Sequence, residues 1–224
     1  MQEFLASNYQ LLNIYVLDSY YDECMSYISK VSKKIDIEII KEEEMQRIST
    51  FSTASECLAI VKMPSSLSII EPTAEYIETN LILALDGVRD PGNLGTIIRI
   101  ADWFGIKHII CSEDSVELYN PKVVQSTMGS ILRVSIHYVN LHDFLAKHKG
   151  QNIWGALLQG ENVYSISAPR KGILLMGSES HGIHADNLKY INRPITIPNF
   201  GGSAESLNVA VATAILCSEF IGRA

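Results

Sequence analysis

Apolar and polar positions divide the chain into two periodic regions separated by a proline-rich break. In the first, Ile14 to Leu17, Ile35 to Ile40 and Cys57 to Val61 read as strands, with helices over Asp22 to Lys33 and Lys41 to Ile48. Met63-Pro64-Ser65-Ser66 and Glu71-Pro72-Thr73 then interrupt the pattern, since proline restricts both itself and its predecessor. A linker is placed there, dividing the chain into domains 1–70 and 71–224. Beyond it, Leu81 to Leu85, His108 to Cys111, Arg133 to Val139, Ile153 to Leu157, Ile173 to Met176 and Ile195 to Ile197 read as strands. Helices are expected over Asn93 to Phe104, Pro121 to Ser130, Leu141 to Lys149 and Leu207 to Phe220. Strands alternating with helices predict a mostly parallel α/β sheet.

A length of 224 residues fits a small domain beside a larger one. Hydrophobic residues at 47% and charged ones at 19% suit a compact fold without long disordered tails. Cys24, Cys57, Cys111 and Cys217 are far apart, with no C-x-x-C pair or dense disulfide pattern, which fits a reducing cytoplasm. The start carries Glu3 where a secretion signal has basic residues. The longest apolar stretch, Val209 to Cys217, falls short of the roughly 18 residues of a membrane span. The net charge of −7 counts against nucleic acid as a partner, although a local basic patch, or one assembled across a dimer, can still grip a phosphate backbone.

Three segments offer chemistry. Asp86-Gly87-Val88-Arg89-Asp90-Pro91-Gly92-Asn93-Leu94-Gly95 runs from a strand end into a helix, where ligands of open α/β sheets gather. An ordinary turn, with Asn93 as helix cap, accounts for it equally well. Arg99 lies on the helix face opposite Leu94, Ile97, Ile98 and Ala101, exposed either as a solvated side chain or as a phosphate ligand. Leu174 to Gly182 is a buried strand opening into a glycine loop, where Gly177 allows close approach to the backbone. His181 and His184 lack the partners of a metal set, so no metal is expected.

In the third segment, Ile195 to Ala212, a strand ends at Ile197-Pro198 and Ser206 stands where it can cap a helix. That helix is apolar almost all round and is expected to be deeply buried. Asn208, in its first turn, needs partners, which are either local backbone groups or a ligand.

In this order and spacing the segments resemble the three motifs of the SpoU/TrmH family of SPOUT RNA methyltransferases, over about residues 81 to 221. Asp90 to Gly95 with Arg99 matches the first motif, Met176-Gly177-Ser178-Glu179 with Gly182 the second, and Ile197-Pro198 through Ser206-Leu207-Asn208-Val209 the third. The resemblance implies a C-terminal trefoil knot, a rarity among folds, and a homodimer with active sites close to its interface. It implies S-adenosylmethionine as cofactor, held largely by main chain around Leu157, Met176, Gly177, Ile197, Ser206 and Leu207. Its substrate would be a ribose 2′-hydroxyl of ribosomal or transfer RNA. The region Phe4 to Met63 resembles, more loosely, a small substrate-binding domain akin to RNA-binding ribosomal proteins. On that resemblance the chain is expected to start inside the domain's first helix, at Glu3-Phe4-Leu5, without its opening strand and basic run, which implies either a misassigned start or a different grip on RNA.

The family places Arg99 at the ribose. A guanidinium keeps its proton near neutrality and is a poor base, so Arg99 is expected to fix a phosphate whose oxygen, or a bound water, receives the proton. Asn93 and Asn208 would orient substrate and cofactor, Glu179 would hold the loops or the arginine, and Ser206 would organise the third loop. The rivals are a catalytically silent RNA-binding protein that kept the knot and a SPOUT enzyme acting on a base. The pairing of Asn93 and Arg99 with Ser206-Leu207-Asn208 points to ribose.

Overall fold

A computed structural model of the chain describes residues 2–7, 9–30, 35–49, 53–63, 71–167 and 170–222. Pro64, Ser65 and Ser66 of the expected linker lie outside the described residues. The chain divides into two compact units, 1–68 and 69–224.

In the first unit the order is α1 (Gln2–Ala6), β1 (Leu11–Leu17), α2 (Tyr21–Ile28), β2 (Asp36–Ile40), α3 (Glu42–Ile48) and β3 (Cys57–Val61). β1 is central, parallel to β2 and antiparallel to β3. Ile14 and Val16 of β1 are fully buried and pack with Leu5, Cys24 and Ile28. The turn into α3 is fixed by the Lys41 N–H, which donates to Glu44 Oε2 at 2.9 Å. The second helix ends at Ile28, short of the expected Lys33, and residues 31–34 lie outside the described set.

The second unit contains α4 (Ala74–Thr79), β4 (Leu81–Asp86), α5 (Pro91–Trp103), β5 (His108–Ser112), α6 (Pro121–Thr127), β6 (Ser135–Val139) and α7 (Leu141–Lys147), then β7 (Ile153–Asn162), β8 (Gly172–Gly177), α8 (Ala185–Leu188), β9 (Arg193–Thr196) and α9 (Val209–Gly222). Its sheet has the order β6-β5-β4-β8-β7-β9, every neighbouring pair parallel. Every residue of β4 is buried, as a strand covered on both faces requires.

Several boundaries differ from expectation for local reasons. α6 stops at Thr127 because Met128 (φ 49°) and Gly129 (φ 88°) turn left-handed. β7 runs on to Asn162 because it meets β9 twice: Ala156 and Glu161 both pair with Ile195, and residues 157–160 bulge out between them. Gly160 permits this, since a Cβ there would press on the backbone of Pro194 and Ile195. α9 begins at Val209, two residues after the expected start, and is not buried all round. Val209, Ala210, Thr213, Leu216, Cys217 and Phe220 are covered, but Val211 is 49% exposed. Among the described residues no helix is long and apolar enough to cross a membrane.

Candidate active site

The parallel sheet brings the carboxyl ends of its central strands to one edge, and register lines up the expected residues there. Asp86 pairs with Gly177 across β4 and β8. Gly155 pairs with Leu175 at the last paired position of β7 and β8, and Leu157 follows two residues on, where the bulge of β7 begins. Ala156 pairs with Ile195, which puts Ile197 just past the end of β9. Gly177 and Ile197 therefore mark strand ends on either side of β7, the position where open α/β sheets bind ligands, and Leu157 opens the bulge within β7.

A chain of side-chain hydrogen bonds joins the three loops at this edge. The Asn208 Oδ1 accepts from the Ala210 and Val211 N–H groups at 3.0 and 3.2 Å, while its Nδ2 donates to Asn93 Oδ1 at 2.9 Å. Asn93 Nδ2 in turn donates to Glu179 Oε1. Both readings of Asn208 thus hold in part: it caps a helix and also reaches across to the first loop. Two expectations are corrected. Ser206 does not cap α9, because the helix starts two residues later than supposed and Asn208 occupies the capping position. Asn93 does not cap α5; Asp90 does, its Oδ1 accepting from the Asn93 N–H at 2.8 Å, with Pro91 pre-set for the first turn. Relieved of capping, the Asn93 amide is available to both other loops.

Glu179 holds the loops through Asn93. Arg99 is exposed on α5 and makes no hydrogen bond or ion pair among the described residues, so its guanidinium fork remains available. Ser206 and Leu207 are exposed, and neither makes a hydrogen bond among the described residues. Met176 is only 2% exposed, so its side chain belongs to the core and it can meet a ligand only through its main chain. Leu157 and Ile197 are half-buried. No cluster of three or more metal-ligating residues occurs among the described residues.

Gly177 has a different reason from the one expected. A Cβ there would strike the Gly182 carbonyl carbon and the Ile183 nitrogen, so this glycine lets its own loop fold back on the strand. The loop is closed by Ser178 and Gly182, which exchange N–H···O bonds of 3.0 and 2.9 Å. Gly95 plays a similar part in the first motif: a Cβ would press on Ser126 and the Val123 carbonyl, so it allows α6 to approach α5.

Two supporting carboxylates escaped the sequence reading. Asp86 is buried, and its Oδ2 accepts from the His184 N–H at 2.8 Å and Asn187 Nδ2 at 2.9 Å, tying β4 to the segment after the second motif. Asp114 accepts from Ser112 and Arg89 at 2.7 Å each, and those two hydrogen bonds, the serine's first, hold its carboxyl below the usual range. The signal for Asp86 was its place at the last position of a buried strand; Asp114 gave none.

The family model of the SpoU rRNA methylase family matches residues 80–218. The chain belongs to the SpoU rRNA methylase family. The resemblance read from the three motifs is therefore borne out, and with it the mostly parallel α/β fold. This SpoU-family chain is 29% identical over 191 residues to the 23S rRNA (guanosine(2553)-2′-O)-methyltransferase RlmP of Bacillus subtilis, covering 84% of the chain and 73% of RlmP. Among solved structures it superposes on a TrmH-family protein from Porphyromonas gingivalis with a TM-score of 0.82 and 37% identity, over 100% of this chain and 86% of that one. It also superposes on an AdoMet-bound rRNA methyltransferase from Sinorhizobium meliloti with a TM-score of 0.78 and 28% identity, over 95% and 80%.

Proposed function

We propose that this SpoU-family chain transfers a methyl group from S-adenosylmethionine to a ribose 2′-hydroxyl of RNA, with ribosomal RNA as the substrate suggested by its relatives. The observation that carries the reading is the hydrogen-bonded chain Asn208–Asn93–Glu179, which links all three motif loops, with Arg99 exposed further along the same helix as Asn93. The cofactor fits this edge. Ser206 and Leu207 offer main-chain groups unused within the described residues, and Leu157, Ile197 and Leu207 offer apolar surface for a flat ring.

When bound, S-adenosylmethionine supplies a methyl carbon on a sulfonium, already activated for displacement. Alignment is then the main requirement, and holding both reactants in line removes much of the barrier. Asn93 and Asn208 fix the relative position of the first and third loops. Glu179 fixes the Asn93 amide and, through it, the second loop. Arg99 grips a phosphate next to the reacting ribose, and the ribose proton passes to that phosphate or to water, because a guanidinium is a poor base.

The same reading includes the knot, which rests on the family resemblance of the three motifs. It includes a homodimer, supported by apolar surface left open on α5 and α9, which pack together: Trp103 is 85% and Val211 49% exposed. It places the enzyme in the cytoplasm, consistent with four cysteines that form no disulfide among the described residues. Residues 1–70 form the substrate-binding domain and 71–224 the methyltransferase domain.

Mapping 2′-O-methylation across ribosomal and transfer RNA, with and without the protein, tests the reading directly; loss of no site overturns it. Arg99→Ala, folded normally, is expected to slow methyl transfer to the mapped RNA by about 10²-fold or more. Near-normal transfer by that variant removes Arg99 from the site.

A further inference from the structure

Phe200 is 86% exposed, the most exposed large hydrophobic side chain among the described residues, and no part of the assigned chemistry uses it. It is not loosely held. Asn199, beside it, laces the loop: its Nδ2 donates to the Gly202 and Ala204 carbonyls at 3.1 Å each, and its Oδ1 accepts from the Gly201 and Gly202 N–H groups at 3.0 and 2.8 Å. Gly201, at φ 100°, supplies the turn. The Phe200 ring lies in the same sense as that of Tyr164, with centroids 6.5 Å apart and planes within 28°. Tyr164 is itself anchored, since Asn162 Oδ1 accepts its N–H at 2.9 Å and its neighbour Val163 is buried.

Resting on the methyltransferase reading, we infer that Phe200, flanked by Tyr164, is a stacking shelf for a nucleobase of the RNA substrate close to the reacting ribose. Three features favour a base over a protein surface. The residues that follow Phe200 are Gly201, Gly202, Ser203, Ala204 and Glu205, so on this side the ring is bordered by small and polar residues and not by the apolar patch that protein interfaces build around an anchor. The chain carries a net charge of −7, so attraction to phosphates contributes little and stacking must supply more of the affinity. The same short loop continues into Ser206, Leu207 and Asn208, so a base on this shelf is delivered next to the aligned groups. Aromatic stacking of splayed-out bases is how single-stranded RNA is commonly held.

The test uses the full chain and a short fluorescein-labelled single-stranded oligoribonucleotide of mixed sequence, read by anisotropy without any need for methyl transfer. Phe200→Ala is expected to weaken binding about tenfold, Phe200→Trp to retain it, and Tyr164→Ala to weaken it less than Phe200→Ala. S-adenosylmethionine affinity, measured by calorimetry, stays within about twofold in all three, as one base contact is removed and no cofactor contact. The inference is overturned by unchanged RNA affinity in Phe200→Ala, or by absence of probe binding in the unaltered protein. A parallel loss of S-adenosylmethionine affinity overturns it by assigning the shelf to the cofactor's adenine, and a change of oligomeric state in sedimentation does so by assigning it to a second copy of the chain. Failure of the unaltered protein to methylate RNA sinks the methyltransferase reading but leaves the binding comparison to decide the shelf.

Discussion

The two sheets of this protein place their polar chemistry in opposite ways. In the second unit β4 and most of β8 are buried on both faces, and the one polar residue of β4, Asp86, closes the strand; Asn93 in the first turn of α5, and Glu179 and Asn208 outside any strand or helix, stand at the rim. In the first unit one sheet face is closed by Leu5, Cys24 and Ile28, while on the other face Ile60 remains 41% exposed and Tyr15 and Leu58 are only half-buried. That unit is also the more acidic for its length, with ten acidic against six basic residues over 1–68. A fully covered sheet makes a rigid frame and confines function to its rim, where parallel strands end together. A half-covered sheet is a surface, and an acidic one would, on the proposed substrate-binding role, read RNA through shape more than through charge.

The sharpest way to separate these roles is to weaken the first sheet and watch the second. Ile14→Ala empties a fully buried position at the centre of the small core and is expected to cost about 2–5 kcal/mol of that unit's stability. RNA affinity should fall with it, while calorimetric S-adenosylmethionine affinity holds. A matching loss of cofactor affinity would break the comparison, because the rim would then depend on the small sheet. The converse experiment is Gly177→Ala. The added Cβ meets the Gly182 and Ile183 backbone, so the second-motif loop must lift, at about 1–3 kcal/mol of overpacking. Here cofactor affinity is expected to drop at least tenfold with the first unit's unfolding transition unmoved.

How much of this was readable in advance depended on whether a residue's reason was local. The strands and the three motif segments were legible because hydrophobic runs and glycine-bearing loops announce themselves within a few residues. Asp90-Pro91 was also a local signal, an acidic cap before a first-turn proline, yet the cap was assigned to Asn93. Ser206 was taken as the cap of α9 because both it and Asn208 suit that position, and only the true helix start decides between them. Gly177 was read as making room for a ligand, whereas its need comes from Gly182 and Ile183, whose return to the strand no short-range pattern reveals. The same holds for Asp86 with Asn187 and for Phe200 beside Tyr164, contacts across 101 and 36 positions. The expected burial of α9 was correct for Ala210 and Leu216 and failed at Val211, because composition alone does not tell a core helix from one with a face left for a partner.

Asn208 joins frame and rim, so its variants divide the two effects. Asn208→Ala removes both the cap of α9 and the bond to Asn93, with about 1 kcal/mol of stability lost from the cap. Asn208→Ser keeps a capping oxygen but cannot reach Asn93 as the amide does. The serine variant is expected to melt near the unaltered protein and yet to methylate as poorly as the alanine variant. Equal activity of the serine variant and the unaltered protein would show that Asn208 serves only the helix.

The smallest expected effect is one of pH, and it distinguishes the two units because all six histidines lie in the second, the first of them at His108. Burial pushes the His148 pKa below its ordinary value, aided by the neighbouring Lys147 and opposed by Glu71; both ring nitrogens are enclosed without a hydrogen-bond partner among the described residues. Burial lowers His108 as well. A histidine whose pKa is lower folded than unfolded lets the unfolded chain take up protons first. The stability these two groups confer is therefore complete above the unfolded value of about 6.5 and declines as pH falls through the folded one. Urea midpoints measured between about pH 7.5 and 5.5 should fall for the second unit and stay level for the first, which has no histidine to titrate there. His148→Leu should flatten the second unit's slope, since leucine keeps the packing against Phe144 and removes the proton site. An unchanged slope would mean that His148 reaches water before the unit unfolds.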